Sequence, residues 1–67
     1  MSALTDYRND ESKSREQLAE MLSVDPVTVW RWETGAIQVP AERALQIESI
    51  TGIPRAKLRP DLFGEAA

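Results

Sequence analysis

Helix-start and helix-stop signals follow one another so closely along this chain that only short helices fit between them. The clearest pair brackets "DPVTVWRWETG", residues 25–35. Asp25 suits an N-cap, and Pro26 suits the first helical position because its missing N–H had no partner to find there. Gly35 suits the stop, since glycine turns left-handed at no steric cost. Pro40 and Gly52 bracket a second stretch, and Pro54 opens a third, "PRAKL", which must end before Pro60. Upstream, Ser14 and Gln17 form a capping box at the head of "QLAEML". A further helix over about Ala3–Asn9 follows from Leu4, Tyr7 and Arg8 at one-face spacing, ended by the polar run "NDESKS". Alternating strand-type runs are missing, so the expectation is an all-α, compact five-helix domain.

Length limits what such a domain can bury. A 67-residue chain hides only about 60% of its unfolded surface, so one thin core and a single domain over residues 1–67 are expected. Leu62 and Phe63 are expected to close that core (a subunit contact being the other reading), and Gly64–Ala67 to fray. The chain has no cysteine and no histidine, which removes disulfides and the commonest metal ligands and general base. No cofactor, metal or enzymatic site is therefore expected, since eleven acidic residues without a pocket-lining constellation do not make one. No apolar run approaches membrane-helix length and no leader pattern opens the chain, so a cytoplasmic, membrane-free protein is the expectation.

Charge is informative in its distribution. The net value is −3, yet residues 1–25 carry six acids against three bases, while residues 26–67 carry five of each. An indiscriminate nucleic-acid binder is disfavoured, but a specific one is not.

The two indoles sit on one helix two residues apart and so cannot share a face. At about 100° per residue, with Val29 central on the buried side, Trp32 lies about 60° to one side and Glu33 about 40° to the other. Val27 and Arg31 point outward, and Trp30 and Thr28 stand on opposite flanks. Trp32 is thus the core indole. The inward Glu33 needs a cation or several donors. Arg8 is the candidate; the alternative is a carboxylate reaching solvent at the helix end. Only Ser23–Asp25 separate this helix from the one before it, which implies a sharp crossing.

In this order and spacing, "QLAEML", a three-residue turn, "VTVWRWETG" and a proline-led helix resemble the Cro/repressor-type helix-turn-helix family over about residues 4–63. The stretch "VPAERALQIESITGIPRAKLRPDLF" is similar to the YdaS-like group of Cro-like regulators and antitoxins. The resemblance implies a lambda repressor-like five-helix fold with the helix-turn-helix at about residues 14–35, helix 2 across the DNA backbone and helix 3 in the major groove. It places Leu18, Ala19, Val24, Val29 and Trp32 at packing positions, Ser14 and Arg15 at a phosphate, and Pro26, Val27, Trp30 and Arg31 near base edges. It also makes Arg8 and Glu33 an interhelical ion pair.

Three features depart from that family. Ser23 replaces the turn glycine, at a cost of roughly 1–2 kcal/mol if the backbone is left-handed. Lys13 stands where an aliphatic is usual, which loosens the docking of helix 1. The groove-facing positions are apolar where glutamines are common, leaving Arg31 as the main polar reader.

For each residue a plainer reading competes. Arg31 grips a guanine or is a solvated arginine; the resemblance favours guanine. Arg15 binds phosphate or pairs with a nearby acid. Thr28 binds phosphate or completes the Asp25 cap; Arg43 binds phosphate or answers Glu42. Val27 is set against a thymine methyl, whereas Trp30 is expected to pack intramolecularly. The function expected is a DNA-binding transcriptional regulator, a phage- or prophage-type repressor acting as a homodimer on double-stranded operator DNA. The alternative is an antitoxin-like module that meets a toxin or other protein.

Overall fold

The computed structural model describes residues 2–64. Six helices follow in order: α1 (Ala3–Asp10), α2 (Arg15–Leu22), α3 (Pro26–Thr34), α4 (Ala41–Thr51), α5 (Arg55–Leu58) and α6 (Pro60–Phe63). Among the described residues there is no strand, and no helix is long and apolar enough to cross a membrane. Of the expected frayed tail, residues 65–67 lie outside the described residues.

Local signals set most boundaries. Ser2 caps α1 by accepting from the Thr5 amide at 3.0 Å. Both legs of the capping box on α2 form: the Gln17 amide donates to Ser14 Oγ at 3.1 Å, and the Ser14 amide donates to Gln17 Oε1 at 2.8 Å. Pro26 is the first residue of α3, while Pro40 and Pro54 stand just ahead of α4 and α5 instead of opening them. Gly35 and Gly52 are left-handed at φ 82° and 81°.

The count of five helices is corrected to six among the described residues. Pro60 opens a turn of helix across the segment expected to be a plain apolar anchor, with Asp61 favourably placed in its first turn. Arg59 fastens that turn. Its guanidinium forks onto both Asp61 oxygens at 2.9 and 2.7 Å and donates to the Val39 carbonyl at 2.7 Å. The same fork holds the Asp61 carboxyl below its ordinary pKa. Phe63 packs against the core beneath the Arg55 guanidinium, 5.5 Å from its ring centre. Leu62 points to solvent, so only half of the anchor closes the core.

The core is one cluster fed by four helices and two connections: Leu4; Leu18, Ala19 and Leu22; Val29 and Trp32; Ala44 and Ile47; Val39 and Ile53. Ala19 is small enough to bring α2 close to its neighbours. The apolar residues of α4 spread round more than one face, as a helix covered on two sides would have them, yet only one face is covered. Ala44 and Ile47 are buried, whereas Ala41, Leu45 and Ile50 are exposed. A chain this short has too few other elements to wrap a second face.

Between α2 and α3, Ser23 adopts φ 58°, ψ 42°, and the Val24 amide reaches back to the Ala19 carbonyl at 3.0 Å. This is a Schellman-type closure built without glycine. Relief of the left-handed penalty outweighs the extra chain entropy of glycine, so Ser23→Gly should stabilise the fold by about 0.5–1 kcal/mol. A thermal melt reads this as a rise of several degrees; a fall would show that the turn carries no strain.

Candidate nucleic-acid interface

The turn at Ser23 presents α3 with one face inward and one face open. Val29 is fully buried and Trp32 is 8% exposed, while Val27 is 54% and Trp30 47% exposed. Pro26, Arg31 and Thr34 are also exposed. The expectation that Trp30 packs internally is therefore overturned. It stands on a flank of the helix, and no neighbouring element reaches that flank far enough to cover it.

Arg31 makes no hydrogen bond and no ion pair through its side chain among the described residues. It lines a cleft between α3 and α4 together with Ser23, Asp25, Thr28, Pro40 and Arg43. Ile37, half exposed in the loop before α4, completes that wall and was not picked out from sequence. A lone isoleucine in a polar loop gives no periodic signal. Asp25 was expected to cap α3 through its side chain, and it does not. The Thr28 amide instead donates to the Asp25 backbone carbonyl at 2.9 Å. The Asp25 carboxylate is left facing solvent, so the capping role suggested for Thr28 falls away. Arg43 answers neither Glu42 nor an empty surface. Its Nη1 donates to Gln46 Oε1 at 2.6 Å, and Gln46 Nε2 reaches the Leu22 carbonyl at 3.4 Å, a chain that ties α4 to the end of α2.

At the far end of α3 the inward carboxylate finds its partner. Glu33 is only 3% exposed at its side chain. Arg8 grips it with two bonds, Nε to Oε2 at 2.7 Å and Nη2 to Oε1 at 3.0 Å. The reading in which Glu33 reaches out to solvent is thereby excluded. Arg8 also donates through Nη1 to the Lys13 carbonyl at 3.3 Å, which anchors the α1–α2 loop where an aliphatic was missing.

Arg15 is a second cation on the same carboxylate, its Nε lying 3.1 Å from Glu33 Oε1. Sequence reasoning left Arg15 between a phosphate and an unspecified acid; the acid is Glu33, eighteen residues away. Arg15 remains 43% exposed. Burial pushes the Glu33 carboxyl up, but hydrogen bonds and charge from Arg8 and Arg15 outweigh it and hold the group below its ordinary value. The Glu33 bond correspondingly raises the Arg8 pKa against the opposing effect of burial.

Apart from the Arg8–Glu33 pair, the site residues singled out from sequence thus fall into three groups. Pro26, Val27, Trp30 and Arg31 form the open face of α3. Thr28 and Arg43 share the cleft beside it. Ser14 and Arg15 start α2, next to Glu33; Ser14 is engaged in its capping box and Arg15 is oriented by the carboxylate.

No curated protein and no solved structure shows a significant match to the chain. A family model described as bacterial toxin YdaS does match, over residues 10–67, which takes in α2 to α6 and the whole open face of α3. By that match across most of its length, the chain belongs to the bacterial toxin YdaS family.

Proposed function

We propose that this protein is a sequence-specific binder of double-stranded DNA, a cytoplasmic transcriptional regulator of the Cro/repressor helix-turn-helix type with no catalytic activity. The observation that carries the reading is the pairing of a buried and an open side on α3. Val29 and Trp32 lock the helix to the core, and Arg31 stands unpaired on the outside beside Val27 and Trp30. Such a helix, held by a tight turn against the one before it, has the form that enters a major groove. Arg31 is the group to grip the O6 and N7 of a guanine. Arg15, with Ser14, meets the phosphate backbone at the start of α2, and Thr28 and Arg43 do so at the cleft. A homodimer would bring two α3 helices to half-sites about one DNA turn apart.

With a net charge of −3, backbone attraction rests on few groups. Arg43 is held by Gln46, and Arg15 shares its guanidinium with Glu33. Each monomer should therefore show a shallow dependence of affinity on salt. Fluorescence anisotropy on DNA from upstream of the protein's own gene, at two salt concentrations, tests the reading. In the same assay Arg31→Ala should lose about 10- to 100-fold on the preferred site and relax preference at one base pair. Arg15→Ala should weaken all sequences alike. Equal losses on every sequence for both variants would count against these roles.

A protein-binding module is the second reading. The exposure of Val27, Trp30 and Ile37 favours it, as does the word "toxin" in the family description. On this reading the apolar face meets a toxin or another protein. Folded protein that binds no DNA at low salt would support it over the first.

A further inference from the structure

We propose that α3 reads thymine methyl groups alongside its guanine, so that each half-site carries thymine within one or two base pairs of the guanine. The proposal rests on the DNA-binding reading above and names the sequence class that the open face of α3 selects.

Val27 and Trp30 are large apolar side chains left 54% and 47% exposed on a helix whose inward side is packed by Val29 and Trp32. Between them and solvent lies no other part of the fold. Arg31 adjoins them without a partner, and the open face itself, residues 26, 27, 30, 31 and 34, bears no carboxylate. Two cations, Arg31 and Arg43, against the single carboxylate of Asp25 in the adjoining cleft, set beside apolar groups, suit a polyanion with apolar features better than an apolar protein surface.

Spacing fits base pairs. Val27 lies about 60° around the helix from Trp30 and about 40° from Arg31. At about 1.5 Å of rise per residue, Val27 is about 6 Å along the axis from Arg31. Stacked bases are about 3.4 Å apart, so the three side chains address about two neighbouring steps.

The apolar feature that base edges offer in the major groove is the thymine C5-methyl. Glutamine-type readers, which grip an adenine edge, are missing from this face. Valine and tryptophan can discriminate there through that methyl, by removing it from water. Valine also holds one side-chain rotamer on a helix, which gives the contact a defined direction.

Deoxyuridine provides the test, since it keeps the Watson–Crick pair and deletes the methyl alone. The duplex best bound by wild-type protein from a random pool would be compared with its fully deoxyuridine-substituted copy. Wild type should bind the substituted duplex about fourfold more weakly for each methyl contacted. The double variant Val27→Ala/Trp30→Ala should bind both duplexes equally, near the wild-type affinity for the deoxyuridine copy. Equal wild-type binding to the two duplexes overturns the methyl reading and leaves DNA binding standing. A Trp30→Ala loss that is the same on both duplexes overturns the part given to Trp30 and points to a contact with the sugar–phosphate backbone instead of a methyl group. Failure of folded protein to bind any duplex overturns the DNA reading together with this one.

Discussion

Replacing Glu33 with alanine should cost about 3 kcal/mol or more, the lower part of the range for breaking a buried ion pair from one side. The substitution does not remove one bond. It takes away the shared acceptor of two guanidinium groups at once: both forks of Arg8, at 2.7 and 3.0 Å, and the Arg15 contact at 3.1 Å. Arg8, 16% exposed, is then left with only the Lys13 carbonyl. Water can reach part of it, which is why the lower part of the range applies. A domain this small has only about 3–5 kcal/mol of stability in hand. At about 4–8 °C per kcal/mol, the melting temperature should fall by about 12 °C or more. An unchanged melt would show that the pair contributes nothing to the fold.

Glu33 also sets an acid limit. Its carboxyl is held below the ordinary value in the folded state. The stabilisation it brings is therefore complete above the unfolded-state carboxylate pKa and disappears as pH falls through the lower folded value. Wild-type stability should drop across that acid window. Glu33→Gln, already uncharged, should start lower at neutral pH and show a flatter profile there, which chemical denaturation at a series of pH values would read.

How much of this was legible beforehand depended on the range of the interaction. Signals confined to four or five residues were readable: the Ser14–Gln17 box, Pro26 at the head of α3, the glycine stops, and Trp32 inward with Arg31 outward. The Arg8–Glu33 pair was readable as a candidate, because a carboxylate on the buried side of a helix demands a cation, and the family resemblance favoured Arg8 for it. What the sequence did not disclose was three-dimensional crowding. Helix periodicity put Trp30 on a flank, and whether a flank is covered depends on an element elsewhere in the chain; here none arrives. Leu45, Ile50 and Leu62 are exposed for the same reason. Arg15 reaches Glu33 across the turn that joins α2 to α3, where Ser23 is left-handed. The missed sixth helix is different: Pro60 followed by Asp61 was a legible start signal that its brevity concealed.

The second large effect should come from Trp32→Ala, at about 3–5 kcal/mol, the usual cost of emptying a buried aromatic site. Trp32 is 8% exposed and sits within the central cluster. Its ring borders two separate hollows, the cleft shared with Thr28, Arg31 and Arg43, and a groove lined by Val39, Leu58 and Arg59. Removing it would loosen the α3–α4 loop and the seat of α5 and α6 together, so little collapse can refill the space. Trp30→Ala is the control built into the same helix. Its indole is 47% exposed, and truncation should change stability by no more than about 0.5 kcal/mol. Urea unfolding of the two variants reads the difference: Trp30→Ala should keep the wild-type midpoint, whereas Trp32→Ala should retain at most a residual transition at low urea. Acrylamide quenching of wild type should reveal one accessible and one protected indole, with the protected one lost in Trp32→Ala and retained in Trp30→Ala. Comparable destabilisation by both substitutions would mean that α3 is not a rod with one buried and one open side, and the groove-reading account of Val27, Trp30 and Arg31 would have no face to act from.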